Sequence, residues 1–167
     1  MRSIGRLIID LKQLHKRVFF YRVKVQDNIE RLQSRLTQVD EPQIRNEILN
    51  NIRIYVNLCK TLLQIEAVLE VLIVKLESLG LLNISVRDIS VVKEVLTRLR
   101  SQVSEIPDVS MVVDDLIDRS NDLLEFGINT PRESFTTPET DEVRKVLSEA
   151  EVIARERLKE TAVLNRA

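Results

Sequence analysis

The chain is poor in the residues that build catalytic and metal sites. Its 167 residues include no Trp, one Cys, one His, three Gly and four Pro. A lone cysteine, Cys59, excludes an internal disulfide and a multi-cysteine metal site, and it suits a reducing compartment. Three scattered glycines cannot form a loop that cradles phosphate. We therefore expect no cofactor, no metal and no enzymatic activity.

Long apolar runs are also missing. The densest stretch, residues 68–76, is interrupted by Glu70 and Lys75, and no run approaches the roughly 18 residues of a membrane span. The first residues lack the clean hydrophobic core and cleavage site of a secretion signal. These absences predict a cytoplasmic protein whose only membrane contact would be peripheral.

What the chain has is helical periodicity. Apolar residues recur every three to four positions from about Ser3 to Val39 and again from Pro42 to Leu79, which predicts an all-α fold. Pro42 suits the first position of a helix and Gly80 a C-terminal stop. The short connection between two helices of similar length predicts a long antiparallel hairpin, residues 3–79.

Shorter helices are expected after the hairpin. The pattern predicts a third helix over residues 85–104, ended by Pro107, and a fourth over 110–126. Residues 127–137 read as a flexible linker, and Thr137 and Pro138 as the start of a last helix over 138–164. We interpret residues 1–126 as the core domain and the last helix as a detachable regulatory arm.

Charge is strongly polarised along the chain. Residues 1–60 hold 12 Lys+Arg against 6 Asp+Glu, whereas residues 101–167 hold 8 against 15. At about 100° per residue, most basic residues of the first helix and five acidic residues of the fourth fall opposite the apolar faces of their helices. We call the basic group the basic stripe: Arg2, Arg6, Lys16, Arg17, Lys24, Arg31. We call the acidic group the acidic stripe: Asp114, Asp115, Asp118, Asp122, Glu125.

Each stripe has two interpretations. The basic stripe is either a solvated surface or a face for an anionic membrane or acidic partner. The acidic stripe is either solvated or an electrostatic partner of the basic stripe, within one subunit or between subunits. Nucleic-acid binding is disfavoured because the pI is near 6.0 and the aromatic residues at 19–21 form one cluster.

Some single positions also have alternatives. His15, among basic residues, is predicted to lie at the surface or at the hairpin flank, and Cys59 in the core. Four apolar residues near the N-terminus share one face and could insert into a membrane interface or pack on the second helix or on a neighbouring molecule. They are Ile4, Leu7, Ile8 and Leu11.

The order of these features resembles ESCRT-III proteins, most closely the archaeal CdvB-type cell-division proteins. Residues 65–72 with 75–78 are similar to the family's second helix. Residues 106–109 leading into 116–118 are similar to its junction between the third and fourth helices. Residues 146–154 are similar to the C-terminal helix of the archaeal paralogues. The resemblance covers roughly residues 5–160 and identifies a short paralogue without the winged-helix extension.

The resemblance implies a filament subunit that is closed by its acidic C-terminal part, opens, and polymerises on membrane at the division site. It also implies paralogous ESCRT-III subunits and an AAA ATPase as partners. The chain has no Pro-rich basic ATPase-recruiting motif, and residues 154–158 match the helical ATPase-binding motif only in part.

Two other classes compete with this interpretation. One is a soluble helical adaptor that dimerises through the hairpin seam, without membrane or polymer activity. The other is an all-helical enzyme, which would need a buried arginine pointing into a cavity. Arg22, which lies off the basic stripe, is the candidate for that role.

Overall fold

The fold is described from a computed structural model, which covers the backbone of residues 2–127 and 138–161 and the side chains of residues 4–125 and 141–161. Within these ranges the regular structure is entirely helical, so the all-α prediction is confirmed. The helices are α1 (Arg2–Leu36), α2 (Pro42–Leu79), α3 (Val86–Gln102), α4 (Pro107–Asp122) and α5 (Pro138–Glu160), and a π-helical turn, Leu123–Gly127, follows α4.

The two long helices form the predicted antiparallel hairpin. Ion pairs across it join Lys12 to Glu77 and Arg22 to Glu66, so positions rise along α1 as they fall along α2. The seam between them is aliphatic, and the apolar residues predicted to face it, Leu14, Val18 and Val25 among them, are buried. Cys59 is buried in the same core, as predicted.

At the hairpin turn, α1 is shorter than its apolar pattern predicts. The pattern extends α1 to Val39, but the helix ends at Leu36. The reason lies on α2, where the Arg45 guanidinium donates hydrogen bonds to the carbonyl oxygens of Leu36 (2.7 Å) and Val39 (2.8 Å). The first bond satisfies a carbonyl that the end of α1 leaves unpaired, and the second ties the turn to α2. At the far end of α2, Gly80 adopts φ +77°, a region that favours glycine.

The junction between α3 and α4 differs from the prediction. Pro107 was expected only to end α3, and α4 to begin at Ser110; instead Pro107 is the first residue of α4. Proline fits that position because its missing N–H would be unpaired there in any case. α3 already ends at Gln102. Its start is stabilised by a reciprocal capping box between Ser85 and Asp88.

The three shorter helices all pack on the hairpin or on one another. α4 contacts α1 and α3, and α5 contacts α2 and α3. We call this the closed arrangement. The predicted linker and the Thr137 cap lie outside the described residues apart from Gly127, and so do residues 162–164 of the predicted last helix.

Candidate functional site

The basic stripe is open to solvent along α1. Arg6, Lys16, Arg17, Lys24 and Arg31 are all exposed, while the side chain of Arg2 lies outside the described residues. Arg6 makes a one-turn ion pair with Asp10 at 3.3 Å. Pairs of this kind on a helix surface contribute only about 0.3–0.5 kcal/mol, so the positive charge of the stripe remains available.

The four N-terminal apolar residues take the second of their two predicted roles. Ile4, Leu7, Ile8 and Leu11 are all buried in the core. In the closed arrangement these side chains are therefore unavailable for membrane insertion, because they already fill the hairpin interface. Inserting them would require the first three turns of α1 to detach.

Three other large apolar residues of α1 face outward, and the sequence interpretation missed them. Phe19 is 40% exposed, Ile9 49% and Phe20 53%. At about 100° per residue Ile9 and Phe20 fall near 180° and 200°, within the basic stripe, whereas Phe19 falls outside it. The helical wheel already held this signal. It was overlooked because the apolar set nearer the seam is larger.

The acidic stripe does not cover the basic stripe in this arrangement. Asp115, Asp118, Asp122 and Glu125 are exposed, on the side of α4 opposite its buried face. Asp114 is half-buried and pairs with Arg100 of α3 at 2.8 Å. The described charge contact between α1 and α4 has the opposite polarity, since Arg119 of α4 pairs with the buried Asp10 of α1.

A shallow depression lies where α4 meets the middle of α1, with a volume of about 590 Å³. Three cations of the basic stripe border it, together with the Phe20 ring and one carboxylate, that of Asp108. Its lining is Gln13, Lys16, Arg17, Phe20, Tyr21, Lys24, Asp108 and Val109. The Lys16 ammonium lies 5.9 Å from the centroid of the Phe20 ring, within the range of a cation–π contact.

Arg22 is engaged by a carboxylate inside the hairpin. Its guanidinium makes two hydrogen bonds to Glu66, from Nε and, at 3.2 Å, from Nη2, and it also lies 5.2 Å from the Phe19 ring. The side chains of Arg22 and Glu66 are 13% and 2% exposed. Neither residue lines the depression beside α4 or a second depression between α2 and α5.

The charges of Arg22 and Glu66 both affect the pKa of the Cys59 thiol. Burial raises the pKa of the Cys59 thiol to about 11; the Arg22 charge opposes that shift and the Glu66 charge adds to it. A buried thiol with a raised pKa is an inert core residue rather than a nucleophile.

The C-terminal helix α5 docks on the hairpin of its own chain. Val143, Val146, Ala150 and Ala154 are buried by this contact. Glu142 lies between Lys75 of α2 (3.5 Å) and Arg87 of α3 (3.6 Å). A depression of about 660 Å³ remains between α2 and α5, with Val71, Val74 and Ile153 among its lining residues.

Glu70 joins three helices at this interface. Its carboxylate pairs with Arg157 of α5 and lies 3.1 Å from Nε2 of His15 on α1. His15 thus lies at the hairpin flank, as predicted. Interface ion pairs that are partly exposed add modest stability and weaken with salt, so charge holds α5 only lightly in addition to its apolar contact.

In residues 2–127 and 138–161, no cluster of three or more His, Cys, Asp or Glu side chains is arranged to hold a metal ion. Within the same ranges, no helix is both long and apolar enough to cross a membrane.

The chain has a distant relative among proteins of known role. This chain is similar to Cell division protein B3 of Sulfolobus acidocaldarius. The two are 26% identical over 163 residues, which cover 95% of this chain and 95% of that protein. The alignment therefore spans the hairpin, the shorter helices and α5, and it supports the CdvB-type resemblance at the level of a distant relative. No family model matches the chain, and no solved structure matches it.

Proposed function

We propose that this chain is an ESCRT-III-like, CdvB-type subunit that assembles into filaments on a membrane during cell division. The observation that carries the proposal is its likeness to Cell division protein B3 over 95% of both chains, because a match of that extent includes every helix rather than one shared hairpin. Its location would be the cytoplasmic face of the membrane at the division site.

The α5 contact supports an arm that regulates assembly. Two of the four residues that α5 buries are alanines, Ala150 and Ala154, which bury little apolar area at about 25 cal/mol per Å². The half of α2 beneath it is rich in large aliphatic residues. Release of α5 would uncover this apolar surface of α2 for a neighbouring subunit. We assign autoinhibition to this helix rather than to the acidic stripe.

The two stripes support contacts outside the subunit. Both are exposed in the closed arrangement, so the basic stripe can face an anionic membrane and the acidic stripe a neighbouring copy or paralogue. Charge contacts repeated along a filament gain avidity although each one is weak. An AAA ATPase that recognises α5 would fit the same scheme, because α5 can be released.

The experiment is to release α5 within the full-length chain. Ala150→Glu places a carboxylate in the α2–α5 contact, whereas Ser148→Glu adds the same charge at an exposed position of α5 and serves as the matched control. Assembly is measured by light scattering and by sedimentation with anionic vesicles, followed by electron microscopy of the pellet.

We expect Ala150→Glu to form polymers at lower protein concentration than the wild type, and Ser148→Glu to behave as the wild type. The proposal fails if neither the wild type nor Ala150→Glu polymerises, alone or with paralogues. A fixed small oligomer that resists salt would instead indicate the soluble dimeric adaptor. A fluorescent fusion in the chain's own species should concentrate at the division site; a uniform distribution through division would count against the proposal.

A further inference from the structure

We propose that Ile9 and Phe20 are apolar anchors that insert into an anionic lipid surface while the basic stripe binds its headgroups. This inference rests on the membrane contact in the proposed function and names the residues that make it. It replaces the N-terminal set Ile4, Leu7, Ile8 and Leu11, whose side chains are buried in the core.

The placement of the two residues is the first argument. They are eleven positions apart, close to three full turns, so they lie on one line of α1 about 16 Å apart. Both are half exposed and both fall within the basic stripe. A helix whose outward face combines cations with large apolar side chains has the composition of a membrane-interface helix.

The surroundings of Phe20 are the second argument. Lys16, Arg17 and Lys24 border the same depression as its ring, against the single carboxylate of Asp108. Three cations around one half-exposed aromatic side chain provide a site for a phosphate- or carboxylate-bearing headgroup. Arg6, three residues before Ile9, gives the second anchor an exposed cation of its own.

The shape of this surface favours lipid over a second copy of the chain. Ile9 and Phe20 project from the outer side of a single helix, and a fluid layer of acyl chains can surround each of them. A protein partner would need a separate pocket for each residue. The acidic stripe of α4 is the charge-complementary surface on this chain, but it is also the outer side of a helix, with carboxylates along it.

The closed arrangement already presents this surface. The acidic stripe points away from α1, so neither release of α4 nor release of α5 is needed to expose Ile9 and Phe20. Membrane binding therefore does not require the release of α5.

The first experiment removes the anchors from the full-length protein. Ile9→Ser/Phe20→Ser is compared with Ile54→Ser/Leu82→Ser, a control that removes two apolar side chains exposed by 63% and 79% outside the basic stripe. Binding is measured by flotation with phosphatidylcholine vesicles, with and without phosphatidylserine, and circular dichroism verifies the helical content.

We expect the anchor variant to bind the anionic vesicles at least about ten-fold more weakly than the wild type, from the apolar burial that it loses. The control should bind as the wild type. Equal binding by the anchor variant and the control would overturn this inference and leave the proposed function standing. If the wild type fails to bind anionic vesicles, the membrane part of the proposed function fails as well.

The second experiment reads the environment of the anchor directly. The chain has no Trp, so Phe20→Trp introduces the only indole, and Ile54→Trp is the matched control. Anionic vesicles with brominated acyl chains should shift the emission of Trp at position 20 to the blue and quench it, leaving position 54 unaffected. A shift that instead follows protein concentration without vesicles would assign the site to a second copy and overturn the lipid proposal.

Inorganic phosphate, added alone, should leave the emission of Trp at position 20 unchanged, since it has no acyl layer. A shift with phosphate equal to that with vesicles would overturn insertion.

Discussion

Among the described ion pairs between α1 and α2, the Arg22–Glu66 pair is the most deeply buried. Both side chains are largely withdrawn from water, at 13% and 2% exposure, and the geometry is bidentate. Arg22→Met removes the cation and leaves the Glu66 carboxylate, the more deeply buried of the two groups, without its partner. Breaking such a pair from one side costs about 3–5 kcal/mol of unfolding free energy.

The reverse substitution should cost less. Glu66→Met leaves the Arg22 guanidinium unpaired, but that group keeps a path to solvent and lies 5.2 Å from the Phe19 ring. We expect a loss of about 1–3 kcal/mol, the range for an unsatisfied polar group. The double variant should lie close to the wild type, because replacing both charges of a buried pair with apolar side chains is often neutral or stabilising.

The measurement is a double-mutant cycle by urea unfolding, followed by far-ultraviolet circular dichroism. Arg53→Met, which removes an exposed cation from α2, is the matched control and should change stability by no more than about 0.5 kcal/mol. Two results would refute the reasoning: a loss below about 1 kcal/mol for Arg22→Met, or a double variant as unstable as the sum of the two single variants.

Two further predictions concern the core and the start of α3. Burial raises the pKa of the Cys59 thiol from 9.0 to about 11, so the folded state retains a proton that the unfolded state loses, and this contribution to stability disappears as pH rises from about 9 to 11. The loss should reach at most about 2–3 kcal/mol, and urea unfolding of Cys59→Ala across this range should be flatter than that of the wild type; parallel curves would contradict it. Ser85→Ala removes the hydroxyl that accepts a hydrogen bond from the backbone N–H of Asp88 (3.3 Å), and it should lower the unfolding free energy by about 1 kcal/mol. The control, Ser104→Ala, changes an exposed residue after α3 and should alter the unfolding free energy by less than about 0.5 kcal/mol. Equal effects of the two serine substitutions in urea unfolding would show that the cap contributes nothing.

Much of the architecture could be predicted because it depends on local rules. The aliphatic period set the helices, Pro42 and Gly80 set the ends of α2, and the short turn between similar helices set the hairpin. The predicted helix ends were wrong where a residue distant in sequence, or a residue that suits two positions, determines where a helix begins or ends. Arg45 ends α1 early from the neighbouring helix, and Pro107, which can follow one helix or begin the next, begins α4.

The candidate site divides in the same way. The sequence by itself determined that basic and acidic charge would lie on separate helices, each opposite an apolar face, because a helical period assigns every residue to a side. Only the tertiary structure decided what those sides meet. It buried Ile4 and Leu7 against other helices instead of leaving them for a membrane, and it turned the acidic stripe away from α1 and docked α5 on α2. Those outcomes depend on how helices distant in sequence pack together, and periodicity within one helix carries no information about that.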